Sequence, residues 1–274
     1  VEIRLIAADL DGTLLRGDGS ISPRTRQALD RAAAAGIAVL LVTARPPRHV
    51  RAMTAGLDLE AAAICSNGAL VYDLGSDLVL EQTRLPAALA NELVIRLRER
   101  LPDLCFAVEA GLRFGQEPAF ARHIRAYRET EPPRYAEASI LCAEGVTKLI
   151  ALHPRIARDE LLAIARELIA DRAEVTHSGA DIVEIAAAGV TKAWALARYC
   201  AARGVARETV IAFGDMPNDT PMLEWAGHGV AVANAHPEVL AIAREHAPSN
   251  EEDGVAIVLE RLLDQISTSS RCSS

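Results

Sequence analysis

Positive charge is in short supply: 29 lysines and arginines stand against 37 aspartates and glutamates. That balance excludes general binding to nucleic acid or to an anionic membrane, both of which call for a cationic surface. It leaves room for a small anionic substrate, because a few local cations and a metal reverse the sign inside one pocket. Cysteine is sparse and odd in number, at positions 65, 105, 142, 200 and 272 with no CxxC pair. Neither a disulfide framework nor a structural zinc site is expected, and a reducing cytoplasm fits. The seven histidines form no HxxxH or HExxH spacing, so a histidine-ligated metal has no support. Long hydrophobic runs are missing as well. The longest, Ala32 to Ala44, holds Gly36 and Thr43 and is too short to cross a bilayer. Glu2, Arg4 and Asp9 interrupt the first apolar run, so no signal peptide is expected. Lysine is the scarcest cation, with only Lys148 and Lys192 among 27 arginines.

What is present is the composition of an ordinary globular protein. Half of the 274 residues are apolar and 24% are charged, enough for one large domain or two modest ones without staples. Ile3–Ala8, Ile37–Val42 and Ala62–Cys65 are short, continuously apolar runs that read as buried strands. Between them, Ser22-Pro23 opens a helix that Gly36 stops, with Ser22 as N-cap. A second helix follows Pro46-Pro47 and runs to about Gly56, and Ser66-Asn67-Gly68 is a turn. Strands alternating with helices predict a parallel sheet covered on both faces.

The middle has another style. Helices are expected over Pro86–Leu101, Pro118–Arg128 and Ala157–Ala170, and strands within Leu104–Phe114 and over Thr147–His153. Glu174–His177 and Asp181–Ile185 flank Ser178-Gly179-Ala180 as a hairpin. After Gly189 the first style returns. A helix is expected over Lys192–Arg203, a strand over Val210–Phe213, and a helix from about Asp219. A strand over Gly229–Ala233 and a helix over Pro237–Glu245 follow. The fold class is therefore α/β, a doubly wound, Rossmann-like parallel-sheet core with an inserted α+β unit. The core is assigned to residues 1–82 and 188–274 and the insert to residues 83–187. The serine-rich tail after Gln265 is expected to be disordered.

Ligands of open parallel sheets bind beyond the carboxyl ends of the strands. Three polar clusters fall there: Asp9-Leu10-Asp11-Gly12-Thr13, Thr43-Ala44-Arg45, and Gly214-Asp215-Met216-Pro217-Asn218-Asp219. Lys192 starts a helix of the same fold. Asp9, Asp11 and Asp215 would repel one another unless a divalent cation neutralised them, and an all-oxygen donor set favours Mg2+. Thr43 offers a hydroxyl and Lys192 a mobile cation, both suited to the spread charge of a phosphoryl group. One carboxylate can then attack phosphorus, and a second can serve as acid and base.

The first cluster resembles the DxDGT motif of the haloacid dehalogenase (HAD) superfamily, and Thr43, Lys192 and the GDxxND of Gly214–Asp219 follow in that superfamily's order. Asn67-Gly68-Ala69 and Gly229–Ala233 with Asn234-Ala235 are similar to its Cof-type subfamily. The resemblance covers nearly the whole core. It implies that Asp9 becomes an aspartyl-phosphate and that Asp11 is the acid/base. It further implies that Asp9, the Asp11 carbonyl and Asp215 hold Mg2+, while Thr43, Lys192 and Asn218 hold phosphate. Arg45 and Asn67 are further candidates for phosphate contact, and Asp219 for orienting Lys192 or serving the metal indirectly. Only 32 positions separate Asp11 from Thr43, whereas 149 separate Thr43 from Lys192, which leaves room for an inserted domain. That matches the superfamily's class II arrangement with a B-type cap, which would select substrate. Many relatives carry Gly after the motif lysine where this chain has Ala193.

The resemblance implies a phosphatase of a small phosphorylated metabolite, a sugar or polyol phosphate in the first place. A phosphotransferase or phosphomutase on the same site and a non-catalytic phosphate-binding module are the alternatives. A dehalogenase needs neither Asp11 nor the metal. Lys148, in a similar Gly-Val-Thr-Lys sequence, rivals Lys192 but leads into a strand, while Lys192 begins a helix 23 residues before Asp215. Arg113, Arg122 and His123 of the insert could read substrate. The sequence does not set the oligomeric state.

Overall fold

The computed structural model of the protein describes residues 2–54, 62–124 and 132–272, with side chains to Gln265. Short aliphatic runs form the first sheet: Leu5–Ala8 (β1), Ala38–Val42 (β2) and Ala62–Cys65 (β3), buried almost throughout. The chain continues through Leu70–Asp73 (β4) and Leu78–Gln82 (β5). Next come Cys105–Ala110 (β6), Arg113–Gln116 (β7), Arg134–Tyr135 (β8), Lys148–Leu152 (β9), Ala173–Thr176 (β10) and Val183–Ala187 (β11). It ends with Val210–Gly214 (β12), His228–Val232 (β13) and Glu245–Ala247 (β14).

Two sheets result. The larger has the order β14-β13-β12-β1-β2-β3-β4-β5, parallel from β14 to β3 and closed by an antiparallel hairpin. β1 lies between β2, which follows it in the chain, and β12, which comes from far along. Their neighbouring carboxyl ends form the switch point at which such sheets bind ligands. The smaller sheet, β10-β11-β9-β6-β7-β8, is antiparallel except for β7 against β8. On one face Phe106, Val108, Leu149, Val183 and Ile185 pack with the helices Ala87–Arg100 and Arg158–Ile169. Glu109, Lys148, Ile150 and Glu184 share the other face by register, and three of them bond to segments that follow strands of the larger sheet: Arg48, Asn67 and the Ala44 carbonyl.

Caps fix the helices that matter. The Ser22 hydroxyl accepts from the Thr25 amide at 3.0 Å and Pro23 takes the first turn of Pro23–Ala34. The Thr191 hydroxyl accepts from the Trp194 amide at 3.1 Å, which starts the helix Lys192–Ala202 at Lys192 itself.

Some elements differ from expectation. The β4–β5 hairpin and the edge strand β14 were not foreseen in the pattern of the chain. The helix from Pro237 ends at Ile242, where Ala243 turns extended, and Glu245 enters β14. The helix after Pro46 spans Pro47–Met53, and its expected end near Gly56 lies outside the described residues. That from Pro118 stops at His123, with Ile124 extended and most of the span to Arg128 likewise outside them. The expected disordered tail is instead the end of one helix, Gly254–Cys272. Val255, Ala256, Val258, Leu259 and Leu263 bury its inner stripe, and propagation from an anchored helix adds one hydrogen bond per residue. No helix among the described residues is long and apolar enough to cross a membrane.

Gly68 shows how tightly the loops near the switch point close. It has φ +101°, and a Cβ there would lie 2.3 Å from the Thr191 carbonyl oxygen. Gly68→Ala is expected to lower stability by about 2 kcal/mol or more, read from the midpoint of a urea titration at unchanged slope.

Candidate active site

Parallel pairing sets the first two acids side by side. β1 and β12 run in register from Leu5 against Val210 to Ala8 against Phe213, and the Asp9 amide continues the ladder to the Phe213 carbonyl at 3.1 Å. Asp215 follows β12 directly, so both carboxylates leave the sheet at the same edge. Asp9 is 5% exposed and Asp215 6%. Together with Asp219 they bring carboxylate oxygens within 4.8 Å of one another. Two glycines permit this approach. A Cβ on Gly12 would meet Asp215 Oδ2 at 2.4 Å, and one on Gly214 would meet the Asp219 Cβ at 2.5 Å.

Lys192 answers the charge. Its Nζ lies 2.6 Å from Asp9 Oδ1 and 2.6 Å from Asp219 Oδ1. The other Asp219 oxygen accepts from the amides of Asp215 at 3.1 Å and Met216 at 3.0 Å. Asp219 therefore fixes both the lysine and the loop that carries Asp215. Thr13 donates to Asp215 Oδ1 at 3.1 Å, and the Asp215 carbonyl accepts from the His236 amide at 2.8 Å.

One ammonium does not balance three carboxylates. Burial pushes the Asp9 carboxyl well above its ordinary range; Lys192 opposes this, while Asp219, Asp215 and Asp11 add repulsion. Burial, then the Asp219 charge, pushes Asp215 up to about 7 against the pull of Lys192. Burial alone would lower Lys192, but Asp219 and Asp9 outweigh it and hold the ammonium above its usual value. Surplus negative charge on oxygen donors, out of water, is what a hard divalent cation relieves. The loop also holds a buried acceptor, Asn218 Oδ1, that has no hydrogen-bond partner among the described residues. Asp9 and Asp215 fit such a cation; Asp219 is already engaged by Lys192 and two amides.

The remaining expected residues divide. Thr43 is fully buried at the end of β2, and its hydroxyl accepts from the Arg45 amide at 3.1 Å. Asn67, in the left-handed region at φ 57° that asparagine tolerates, joins Asn218 through Asn218 Nδ2 and Asn67 Oδ1 at 3.0 Å. Asp11 stands apart from the carboxylate cluster. It turns to Arg45, which grips it with Nε and Nη2, each at 2.6 Å, and its side chain is 44% exposed. Asp11 and Arg45 line a cavity of about 780 Å³ whose other wall includes Ser178 to Ile182 and Glu184 of the smaller sheet. His123 also lines it, whereas Arg113 pairs with Glu144 at the surface.

Three participants lie beyond the residues expected from the sequence. Thr13 belongs to the first motif and bonds Asp215. Lys148, the rival of Lys192 by its local sequence, is 1% exposed and bonded to the Ala44 carbonyl at 2.7 Å and to Glu184. Glu184 has one signal in the chain: an acid inside Ile182-Val183-Glu184-Ile185-Ala186 marks a buried charge with a dedicated partner.

Residues 6–259 match the family described as haloacid dehalogenase-like hydrolase. The pyridoxal phosphate phosphatase YbhA of Escherichia coli (strain K12) is 31% identical over 264 residues, covering 92% of this chain and 96% of that protein. The 5-amino-6-(5-phospho-D-ribitylamino)uracil phosphatase YitU of Bacillus subtilis (strain 168) is 32% identical over 265 residues, covering 93% and 96%. Among solved structures, the HAD subclass IIB sugar phosphatase BT4131 superposes with a TM-score of 0.79 at 19% identity, covering 94% of this chain and 98% of that one. The last is a likeness of fold, while the match along nearly the whole chain is one of descent: the protein belongs to the haloacid dehalogenase-like hydrolase family.

Proposed function

We propose that the chain is a Mg2+-dependent phosphatase that hydrolyses a small phosphorylated metabolite through an aspartyl-phosphate on Asp9. The observation that carries the reading is the meeting of Asp9, Asp215 and Asp219 within 4.8 Å, with one ammonium bonded to Asp9 and Asp219. Asp9, Asp215 and the Asp11 carbonyl would hold Mg2+. Bound there, the ion would neutralise the carboxylates and polarise a phosphoryl oxygen.

The chain's own residues supply the rest. An Asp9 oxygen attacks phosphorus while Lys192, hydrogen-bonded to the same carboxylate, offsets its repulsion from the incoming anion. Thr43 and Asn218 hold phosphoryl oxygens, with Arg45 and Asn67 close by. Asp11 is the acid/base: half-exposed at the cavity wall rather than buried among the other acids, it reaches the leaving group. It protonates the departing alcohol and then takes a proton from the water that cleaves the aspartyl-phosphate. Its ion pair with Arg45 has to loosen for that work, and Arg45 then has an anion at hand in the phosphate. Residues 83–187 act as a cap that covers the cavity, excludes water from the transfer step and selects the leaving group. Residues 1–82 and 188–274 form the catalytic core.

The relatives support the substrate class. One is named for pyridoxal phosphate and another for a phospho-D-ribitylamino compound, the second a polyol phosphate by its own name. Small phosphate monoesters, sugar and polyol phosphates among them, are the class proposed here. A cytoplasmic setting belongs to the same reading, supported by Cys65, Cys105, Cys142 and Cys200, all free and buried.

Asp9→Asn is expected to lower Mg2+-dependent hydrolysis of an aryl phosphate by about a thousandfold or more, with an unchanged circular dichroism spectrum. Full activity in that variant would sink the proposed nucleophile. Release of free phosphate without any acceptor alcohol separates hydrolysis from phosphotransfer. Lys192→Met removes the shared cation and is expected to destabilise the metal-free protein by about 3 kcal/mol or more. Mg2+ should recover part of that loss, followed as thermal midpoints with and without the ion.

A further inference from the structure

Lys148 begins β9 and is as buried as Lys192. Its Nζ donates to the Ala44 carbonyl, between Thr43 and Arg45, at 2.7 Å, and to Glu184 Oε1. The second Glu184 oxygen accepts from Asn67 Nδ2 at 3.2 Å. Asn67 Oδ1 accepts in turn from Asn218 Nδ2 at 3.0 Å. Four buried side chains thus form one line of hydrogen bonds. It runs from the smaller sheet, through the turn after β3, into the loop that carries Asp215.

Donor and acceptor rules give that line a direction. An ammonium only donates, an ion-paired carboxylate only accepts, and an amide does one at each end. Glu184 offers Asn67 nothing but an acceptor, so Asn67 turns Nδ2 toward it and Oδ1 toward Asn218. Asn218 must reply with Nδ2. That fixes where its Oδ1 and its remaining N–H point. A flip of either amide would set like against like in a dry setting, which burial makes costly.

We propose that Glu184, held by Lys148, is a positioning residue that, through Asn67, turns the remaining Nδ2 N–H of Asn218, and not its Oδ1, toward the phosphoryl group. This rests on Asn218 meeting phosphate, as in the function proposed above. Lys148 acts a second time by tying the Ala44 carbonyl, and so the Thr43–Arg45 loop, to the same carboxylate. A buried ion pair is weak evidence of stabilisation by itself. The two asparagines and the loop contact are features that a purely stabilising pair would not need.

Glu184→Gln inverts the line at nearly constant shape. Lys148 would take the amide oxygen, the amide nitrogen would face Asn67, and both asparagines would turn over. Binding of inorganic phosphate in the presence of Mg2+, measured by calorimetry, is expected to weaken about tenfold. The KM for an aryl phosphate should rise with it while kcat changes less than about twofold, because a contact made equally before and during the reaction moves KM. In an Asn218→Ala background the same substitution is expected to add less than about twofold, since the line has lost its last member. Asn67→Gly suits the left-handed backbone and cuts the line in the middle. It should weaken phosphate by a similar factor and gives the answer if Glu184→Gln does not fold. Unchanged phosphate affinity in Glu184→Gln, Asn67→Gly or Asn218→Ala overturns the proposal, as does a Glu184→Gln effect that adds in full to Asn218→Ala. Phosphate binding needs no turnover. An active Asp9→Asn protein would therefore refute the covalent chemistry and leave this result standing.

Discussion

Lys192 carries its ammonium between Asp9 and Asp219, 2.6 Å from each, with all three groups withdrawn from water. The charge balance of the carboxylate cluster depends on that contact. Without it, three buried carboxylates would face one another with no side-chain cation bonded among them. With it, the lysine opposes part of the burial and carboxylate repulsion that push the Asp9 carboxyl well above its ordinary range. The arrangement stays short of positive charge, which is the condition under which oxygen donors draw in a cation. A site fully neutralised by its own side chains would have no affinity for a cation, and a site with fewer acids would not hold one.

The fold supplies this concentration of charge cheaply because its parts come from rigid ends. Asp9 and Asp215 follow adjacent parallel strands, Lys192 occupies the first turn of a capped helix, and Asp219 is locked by two backbone amides. Each group is therefore held by backbone that is itself hydrogen-bonded at the point of attachment, and little conformational freedom remains to be lost when a ligand arrives. Glycine at positions 12 and 214 is part of the same economy of space, since any side chain there would displace Asp215 or Asp219.

How much of this was legible in the chain follows from the range of each signal. Asp9, Asp11, Thr43 and Asp215 could be read because a polar cluster after a short apolar run is a local pattern with a known place in a parallel sheet. Lys192 could be told from Lys148 by the helix it starts. The β4–β5 hairpin was missed although Leu70-Val71-Tyr72 and Leu78-Val79-Leu80 flank Gly75, a pattern of strands about a turn. β14 was missed because Glu245-His246-Ala247 carries no strand pattern, and only its pairing with β13 makes it one. The tail misled by composition: serines after Gln265 read as disorder, but the stripe from Val255 to Leu263 anchors a helix that carries on past it. The pairing of Asp11 with Arg45, and the line from Lys148 to Asn218, join residues from different elements. No local pattern announces them.

The seam between the two sheets bears on why those cross-contacts exist. An apolar seam gives area without direction, and the cluster of Ala69, Ala186 and Val190 is small and smooth. Beside it the facing residues are charged: Glu109 takes the Arg48 guanidinium with both oxygens at 2.6 and 2.9 Å, and Lys148 reaches the Ala44 carbonyl. Desolvating such groups offsets much of what their attraction contributes, so their net stabilisation is small. What they add is register, since a charge displaced by a few ångströms from its partner is left buried and unpaired. The smaller sheet therefore has one favoured seat on the larger. In that seat the Ser178–Ile182 loop lies across the cavity from Asp11 and Arg45.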